Sequence, residues 1–334
     1  MDAALPSSNA NQTWVDSYLD SLLTQRKLSQ HTITAYRRDL AKLTKFSELT
    51  NLAAITHFQI RQFASKLHAS GIGPRSIART LSAWRNFFLW LSQTTSLASN
   101  PVDGIKAPKQ ARALPKALSA DDAVLLVSTS PANSRTLRPI DDATQLCNRA
   151  MFELLYSCGL RVTELTTLDI HYVAQTGYIS TSWITPDEQE VTVTGKGNKK
   201  RSIPVGQHAL DAIAAWIAVR PRLASSSSAD DLFALFLSQR GTRISPRSIQ
   251  LRLKAHAQAI GLPVNVHPHV LRHSFASHVL QSSGDLRAVQ EMLGHSSIAS
   301  TQVYTSLDFQ RLAQVYDSAH PRARTKKDTP EGDS

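Results

Sequence analysis

HPHVLRHSFASHVLQSSGDLRAVQEMLGHSSIASTQVYTS, residues 267–306, is the stretch whose pattern settles the character of this chain. Its apolar positions recur at helical rather than strand spacing. Leu271, Phe275 and Val279 form a stripe that docks a helix begun near His269, which leaves His269, Arg272 and His273 on one face. Asp285 is placed as an N-cap, Leu286, Val289 and Leu293 are spaced for burial, and Gly294 stands where a helix ends in a left-handed residue. His295 then falls in a tight turn, and a further helix over 297–305 carries Tyr304.

The chemistry of these polar residues narrows their target. A tyrosine hydroxyl titrates at about 10 and is a poor nucleophile at neutral pH unless cations and hydrogen bonds stabilise its anion. Arg272 offers a planar fork for two phosphate oxygens, and the imidazoles of His269 and His295 can bond an oxygen or shuttle a proton. A phosphodiester fits this set. Taken singly, each residue has a plainer reading, since a lone tyrosine is far more often core or surface and a histidine in a turn is as often structural. The combination is what points to phosphoryl transfer.

Lysine and arginine number 37 against 26 acidic residues, a formal net charge of +11 with a pI near 9.8. That balance favours a polyanionic partner, nucleic acid first. With 334 residues, 42% of them hydrophobic, the chain can bury a substantial core in about two domains and is not a disordered protein. Cys147 and Cys158 are too few for a disulfide framework and sit in an apolar helical pattern, which suits buried thiols in a reducing cytoplasm. There is no basic-then-apolar leader, and no apolar run approaches membrane-spanning length, so the expectation is a cytoplasmic, nucleoid-associated protein with no membrane partner.

Residues 11–93 read as four helices, near 11–26, 30–48, 56–70 and 74–93, with Thr56 and Gln59 as a capping box and Gly71, Gly73 and Pro74 marking the step into the fourth. Their scattered basic residues, Arg75 and Arg79 among them, divide between DNA contact and ordinary solvated faces. Residues 100–118, with three prolines and four basic residues, read as a linker able to follow a phosphate backbone. Ser119 and Asp122 open a new helix, and another spans 141–158. Strand-like segments follow at 178–184, 190–194 and 201–205, where Val191/Val193 and Ile203/Val205 alternate around the turn GKGNKK and place Lys196 on a hairpin tip. Helices resume near 207–220, 245–260, 269–281, 285–293, 297–305 and 308–318, with a Ser-rich loop at 224–230 and an apolar segment at 232–237 between them. The fold class is therefore mainly α: a four-helix domain over 11–99, then a mixed α/β, mostly helical domain over 119–323 with one small antiparallel sheet. The tail, 324–334, has a disordered composition.

Five segments, GLRVTEL (159–165), GKGNKKR (195–201), HPHVLRHSFASHVL (267–280), LGHSSIASTQVYTS (293–306) and HPRA (320–323), resemble in this order the tyrosine recombinase (phage integrase) family, and within it the Xer recombinases. The likeness spans residues 11–323 and gives the first domain the character of the family's SAM-like, core-DNA-binding domain. It implies catalytic Arg161, Lys196, His269, Arg272, His295 and Tyr304, with no metal and no other cofactor. Tyr304 would attack the scissile phosphorus, giving a 3′-phosphotyrosyl bond and a free 5′-hydroxyl. Arg161 and Arg272 would neutralise the nonbridging oxygens, His295 would bond the same phosphate, Lys196 would protonate the leaving oxygen, and His269 would handle a tyrosine or phosphate proton.

The resemblance also implies double-stranded DNA at a dif-like site, a sister Xer recombinase in a heterotetramer on two sites, a Holliday junction, and activation by a DNA translocase. The two domains would form a C-shaped clamp, with the helix at 308–318 docked on a neighbour. The connection between Arg161 and Lys196 is longer than the Xer pattern, the excess lying in 171–190 with Trp183 and Pro186; it reads as an enlarged strand connection that leaves the GKG turn intact. That insertion and the long polar tail favour the XerC branch over the XerD branch. Glu164 and His273 read as supporting or structural residues. Lys199, Lys200 and Arg201 beside Lys196, and Arg243 and Arg247 at the start of the 245–260 helix, are candidates for DNA contact.

Other classes compete. His267, His269, His273 and His278 include an i,i+4 pair suited to zinc, but the glutamate of a zinc-protease helix is missing and Arg272 would repel a dication. A DNA-binding regulator that never cuts accounts for the charge and the helices equally well, yet leaves the six-residue set unexplained. Within the same chemistry, the alternatives are a type IB topoisomerase or a mobile-element integrase.

Overall fold

Thr56 Oγ1 accepts the Gln59 backbone N–H at 3.3 Å while the Gln59 side chain accepts that of Thr56 at 2.9 Å, the reciprocal capping box that their spacing predicts. The computed structural model describes residues 7–26, 28–47, 50–95, 97, 99–109, 117–129, 142–195, 198–224, 228–262, 266–294 and 306–323. The chain divides into two units, Met1–Leu114 and Pro115–Ser334.

The first unit contains α1 (Ser7–Thr24), α2 (Gln30–Phe46), α3 (His57–Ala69) and α4 (Pro74–Leu91). Their apolar stripes meet in a core that includes Tyr18, Leu22, Leu40, Phe63, Trp84 and Phe87. Trp84 Nε1 donates to the Asp39 carbonyl at 2.8 Å, so burial of the indole leaves no donor unpaired. The Asp39 carboxylate is itself buried and accepts from Thr80 at 2.9 Å, Lys42 at 3.1 Å and Arg79.

The expected linker is packed at both ends. Val102 enters the first core, Ile105 and Ala107 lie against it, and Asn100 Nδ2 donates to the Arg85 carbonyl at 3.0 Å. Leu118 belongs to the core of the second unit, and its N–H donates to Ser274 Oγ at 2.9 Å. Residues 110–116 lie outside the described residues. Isolated apolar anchors such as Val102 and Leu118 have no period, so composition alone presents them as linker.

The second unit opens with α5 (Ala120–Ser128), capped by Ser119 as expected, and the deeply buried α6 (Asp142–Ser157). After α7 (Val162–Thr166) come β1 (Leu168–Asp169), β2 (Ala174–Gln175), β3 (Tyr178–Ile179), β4 (Ser182–Thr185), β5 (Glu190–Thr194) and β6 (Lys200–Pro204). Strands β4, β5 and β6 form the antiparallel sheet, with Val191 opposite Ile203 and Val193 opposite Arg201. β1 joins β4 in parallel, which makes this edge of the sheet mixed. At two residues it is too short to show an alternating pattern. The long 171–190 connection contains a separate ribbon, β2 paired with β3.

Helices complete the unit: α8 (Gln207–Val219), α9 (Ala229–Phe233), α10 (Pro246–Ala259), α11 (Pro268–Ser283), α12 (Leu286–Leu293) and α13 (Ser306–Ala319). Helix α13 packs on its own unit, burying Leu312 and Tyr316. Behind it, Arg322 pairs with the buried Glu153 carboxylate, and the Ala323 carbonyl accepts from the Gln207 N–H at 3.1 Å. No described helix is long and apolar enough to cross a membrane.

His320 in this C-terminal segment stacks on Tyr316 with ring centroids 5.0 Å apart. Burial, and secondarily the charge of His278, pushes its pKa from 6.5 down to about 3. Above pH 6.5 the ring is neutral in both folded and unfolded chains and contributes nothing to the pH dependence. Below it the unfolded chain takes up a proton that the folded chain refuses, so stability falls as the pH drops toward 3. The loss attributable to His320 between pH 7 and pH 5 is about 2 kcal/mol. Urea denaturation of wild type and His320→Gln at both pH values should show the steeper fall in wild type.

Candidate active site

The chain leaves α6 through Gly159, where a φ of +58° and a hypothetical Cβ only 2.4 Å from the Phe275 ring both require glycine. This turn sets Arg161 in extended backbone, φ −72° and ψ 147°, immediately ahead of α7. Glu164 reaches back to it: Oε2 accepts the Arg161 backbone N–H at 2.8 Å, and Oε1 accepts from Arg161 Nη1 at 2.6 Å. Arg201 on β6 grips the same carboxylate with both Nη atoms at 2.9 Å and donates Nε to the Met292 carbonyl at 2.9 Å. Arg272 on α11 donates to the Gly159 carbonyl at 2.6 Å and the Leu293 carbonyl at 2.5 Å, standing 3.9 Å from Glu164.

Two arginines thus satisfy the last carbonyls of α12, groups that a helix end leaves unpaired and partly negative. Asp285 caps the other end by accepting the Ala288 N–H at 2.9 Å, and Gly294 closes the helix at φ +64°, as their positions predict.

Three guanidinium groups around one carboxylate leave an excess of two positive charges. Burial alone would raise the Glu164 pKa, but hydrogen bonds and charge from Arg201, then Arg161, outweigh it and hold the carboxyl below its ordinary range. Burial, followed by the charge of Arg161, pushes the pKa of Arg272 down to about 10, which still leaves it charged at neutral pH. Arg161 is the more open of the pair, with 33% of its side chain exposed, and His269 is exposed on the first turn of α11. A phosphodiester carries one negative charge and gains another as a fifth oxygen bonds to phosphorus. A fixed double positive excess therefore favours the transition state over the ground state.

Arg161, His269 and Arg272 lie within the described residues, whereas Lys196, His295, Tyr304 and the expected helix over 297–305 lie outside them. Their flanks are described. The Gly195 N–H donates to the Lys199 carbonyl at 2.8 Å across the base of the hairpin tip, Gly294 precedes His295, and α13 begins two residues after Tyr304.

Among the DNA-contact candidates, Arg75, Lys199 and Arg247 are exposed; Arg79 is half-exposed but paired with Asp39; and the Lys200 amine sits over the Trp183 ring, 4.9 Å from its centroid. Arg201 and Arg243 require correction, because both side chains are committed inside the protein. Residue 201 shares the parity of Ile203 and Val205, so strand alternation already placed it on the inner face. Arg243 Nη2 donates to Asp169 at 2.7 Å and to Tyr178 Oη at 2.9 Å, while Nη1 reaches the Thr166 and Leu168 carbonyls at 3.1 Å. Those four partners are distant in sequence; a nearer one, Asp230, accepts from Nε at 2.8 Å, and no local pattern announces any of them. His278, part of the zinc alternative, is bonded to Tyr156 Oη at 2.9 Å and the Leu118 carbonyl at 3.0 Å. No group of three or more His, Cys, Asp or Glu side chains suited to a metal occurs among the described residues.

Comparison with known proteins places the chain in a family. Residues 117–311 match the phage integrase family and residues 15–94 the phage integrase N-terminal SAM-like domain. The chain is 53% identical over 318 residues to tyrosine recombinase XerC 1 of Ralstonia nicotianae, covering 93% of this chain and 94% of that one. It is 46% identical over 325 residues to tyrosine recombinase XerC of Alcanivorax borkumensis, covering 97% and 99%. The crystal structure of XerH site-specific recombinase bound to a palindromic difH substrate, a post-cleavage complex, shares the fold with a TM-score of 0.68 at 20% identity, covering 95% of this chain and 98% of that one. With a family match in each of its two units and relatives this similar over nearly its whole length, the chain belongs to the phage integrase family and is a tyrosine recombinase, a DNA strand-transferring enzyme.

Proposed function

We propose that the chain exchanges DNA strands at a dif-like site in the cytoplasm, acting with a sister Xer recombinase in a heterotetramer on two sites, to resolve chromosome dimers through a Holliday junction. The carrying observation is the Glu164 hub, which holds Arg161 and Arg272 together while each retains donors. Arg272 spends two of its five N–H groups on carbonyls and Arg161 one on Glu164, so both can still bond a phosphate.

Tyr304 Oη forms a bond to phosphorus as the bond to the 5′-oxygen breaks. Lys196 gives the departing oxygen its proton, His269 takes or relays the phenolic proton, and His295 joins the two arginines on the nonbridging oxygens. The phosphotyrosyl bond conserves the phosphodiester energy, so a partner strand's 5′-hydroxyl reseals it without ATP. The similarity to proteins named XerC supports the chromosomal role, and a DNA translocase is the proposed activator.

The test is a nicked suicide duplex bearing a dif-like half-site, incubated with the protein in EDTA and with each candidate partner added separately. A covalent protein–DNA adduct is expected in EDTA. Binding without any adduct would instead identify a non-cutting regulator, and loss of the adduct reversed by zinc would identify a metal enzyme.

A further inference from the structure

We propose that Arg201 is a positioning residue for strand transfer, holding the β5–β6 hairpin on either side of Lys196 against the Glu164 turn and the end of α12 that precedes His295, and acting on the leaving group through Lys196 without touching DNA. The inference rests on the proposed role of Lys196 as the acid that protonates the 5′-oxygen.

Arg201 is 5% exposed and has Nε and both Nη atoms engaged, by Glu164 on one side and the Met292 carbonyl on the other. It cannot reach a phosphate from there. It does reach the two glycines that adjoin the reactive residues. A Cβ built on Gly294, the residue before His295, would lie 3.0 Å from Arg201 Nη1, and one built on Gly195, the residue before Lys196, would lie 3.4 Å from it. One guanidinium therefore lies against the entry to both segments while it forks onto the carboxylate that holds Arg161.

The other two arginines do not depend on it. Arg161 has its own backbone and side-chain bonds to Glu164, and Arg272 is clamped by the Gly159 and Leu293 carbonyls. Among the described residues, Arg201 is the side chain of the β5–β6 hairpin that bonds both the Glu164 turn and the end of α12. Losing its fork should leave the grip on phosphate in place and let the hairpin tip drift. Lysine cannot replace it, since an ammonium is a point charge that does not span two carboxylate oxygens and a carbonyl at fixed angles.

A leaving group that needs no proton separates this role from general support. In a suicide substrate with sulfur at the 5′-bridging position, a thiolate departs unaided, whereas the ordinary oxygen needs the acid. Single-turnover cleavage by Arg201→Lys is expected to slow about 100-fold on the oxygen substrate, the cost of displacing a catalytic group by roughly an ångström, and to stay within about threefold of wild type on the sulfur substrate. Lys196→Ala should show the same pattern, and the double variant should be no slower than the slower single one, because both act on one step. The ratio of the two rates is read on whatever fraction of the variant folds, so poor folding cannot mimic it. Equal slowing on both substrates, or no slowing on oxygen, overturns the assignment of Arg201. A wild type that forms no adduct on either substrate overturns the strand-transfer reading itself, and the inference with it.

Discussion

Tyr304→Phe is expected to abolish the covalent protein–DNA adduct, a loss of about a millionfold in cleavage rate, as when a hydrolase loses its nucleophile. Half-site affinity should stay within about twofold, because the change removes one oxygen and no cation that neutralises phosphate. No other tyrosine of the second unit is placed to substitute. Tyr156 is bonded to His278, and burial pushes its pKa upward; Tyr316, on α13 itself, is fully buried, and its pKa is likewise pushed up. Tyr178 donates to Asp169, and burial first, then that hydrogen bond, pushes its pKa up to about 12. Tyr172 lies tilted against the Trp183 ring with centroids 4.7 Å apart, beside the β2–β3 ribbon. Denaturing electrophoresis of labelled suicide DNA decides the matter: an adduct that persists in Tyr304→Phe would mean that another residue attacks.

Arg272→Ala is expected to slow single-turnover cleavage about 1,000-fold, the loss seen when one preorganised donor to a developing oxyanion is removed. Two effects combine. The phosphate loses a fixed positive charge, and the Glu164 carboxylate, 3.9 Å from that guanidinium, is left closer to balancing the cations that remain. The Gly159 and Leu293 carbonyls also lose their donor, which loosens the turn before Arg161 and the end of α12 before His295. Arg272→Lys should fall between wild type and alanine, since it restores charge but cannot span both carbonyls. A variant that cleaves at the wild-type rate while binding DNA normally would remove Arg272 from the chemistry.

Much of the scaffold was legible from short stretches. The Thr56–Gln59 capping box, the Ser119 and Asp285 N-caps, the Gly294 stop and the β5–β6 alternation all depend on residues within a few positions of one another. Motif order then nominated Arg161, Lys196, His269, Arg272, His295 and Tyr304, of which Arg161 and Arg272 meet at Glu164 in the fold. Local patterns failed where partners are remote. Arg243 looks in sequence like a basic residue available to DNA, yet it is committed to Asp169, 74 positions away, whereas the strand alternation of Arg201 with Ile203 and Val205 already turned it inward. The two-residue β1 and the anchors Val102 and Leu118 are likewise too short or isolated to carry a period.

The amino-acid sequence by itself determined the helical stripes and the caps, because these follow from backbone geometry acting over one or two turns, and its composition and motif order indicated two parts and the residue types of a phosphoryl-transfer site. Only the tertiary structure decided which charges the protein pairs with one another. The Glu164–Arg201 pair spans 37 positions and Glu153–Arg322 spans 169. A carboxylate and a guanidinium at such separation meet only after the chain has folded around them, when loss of water makes an unpaired charge too costly to leave alone.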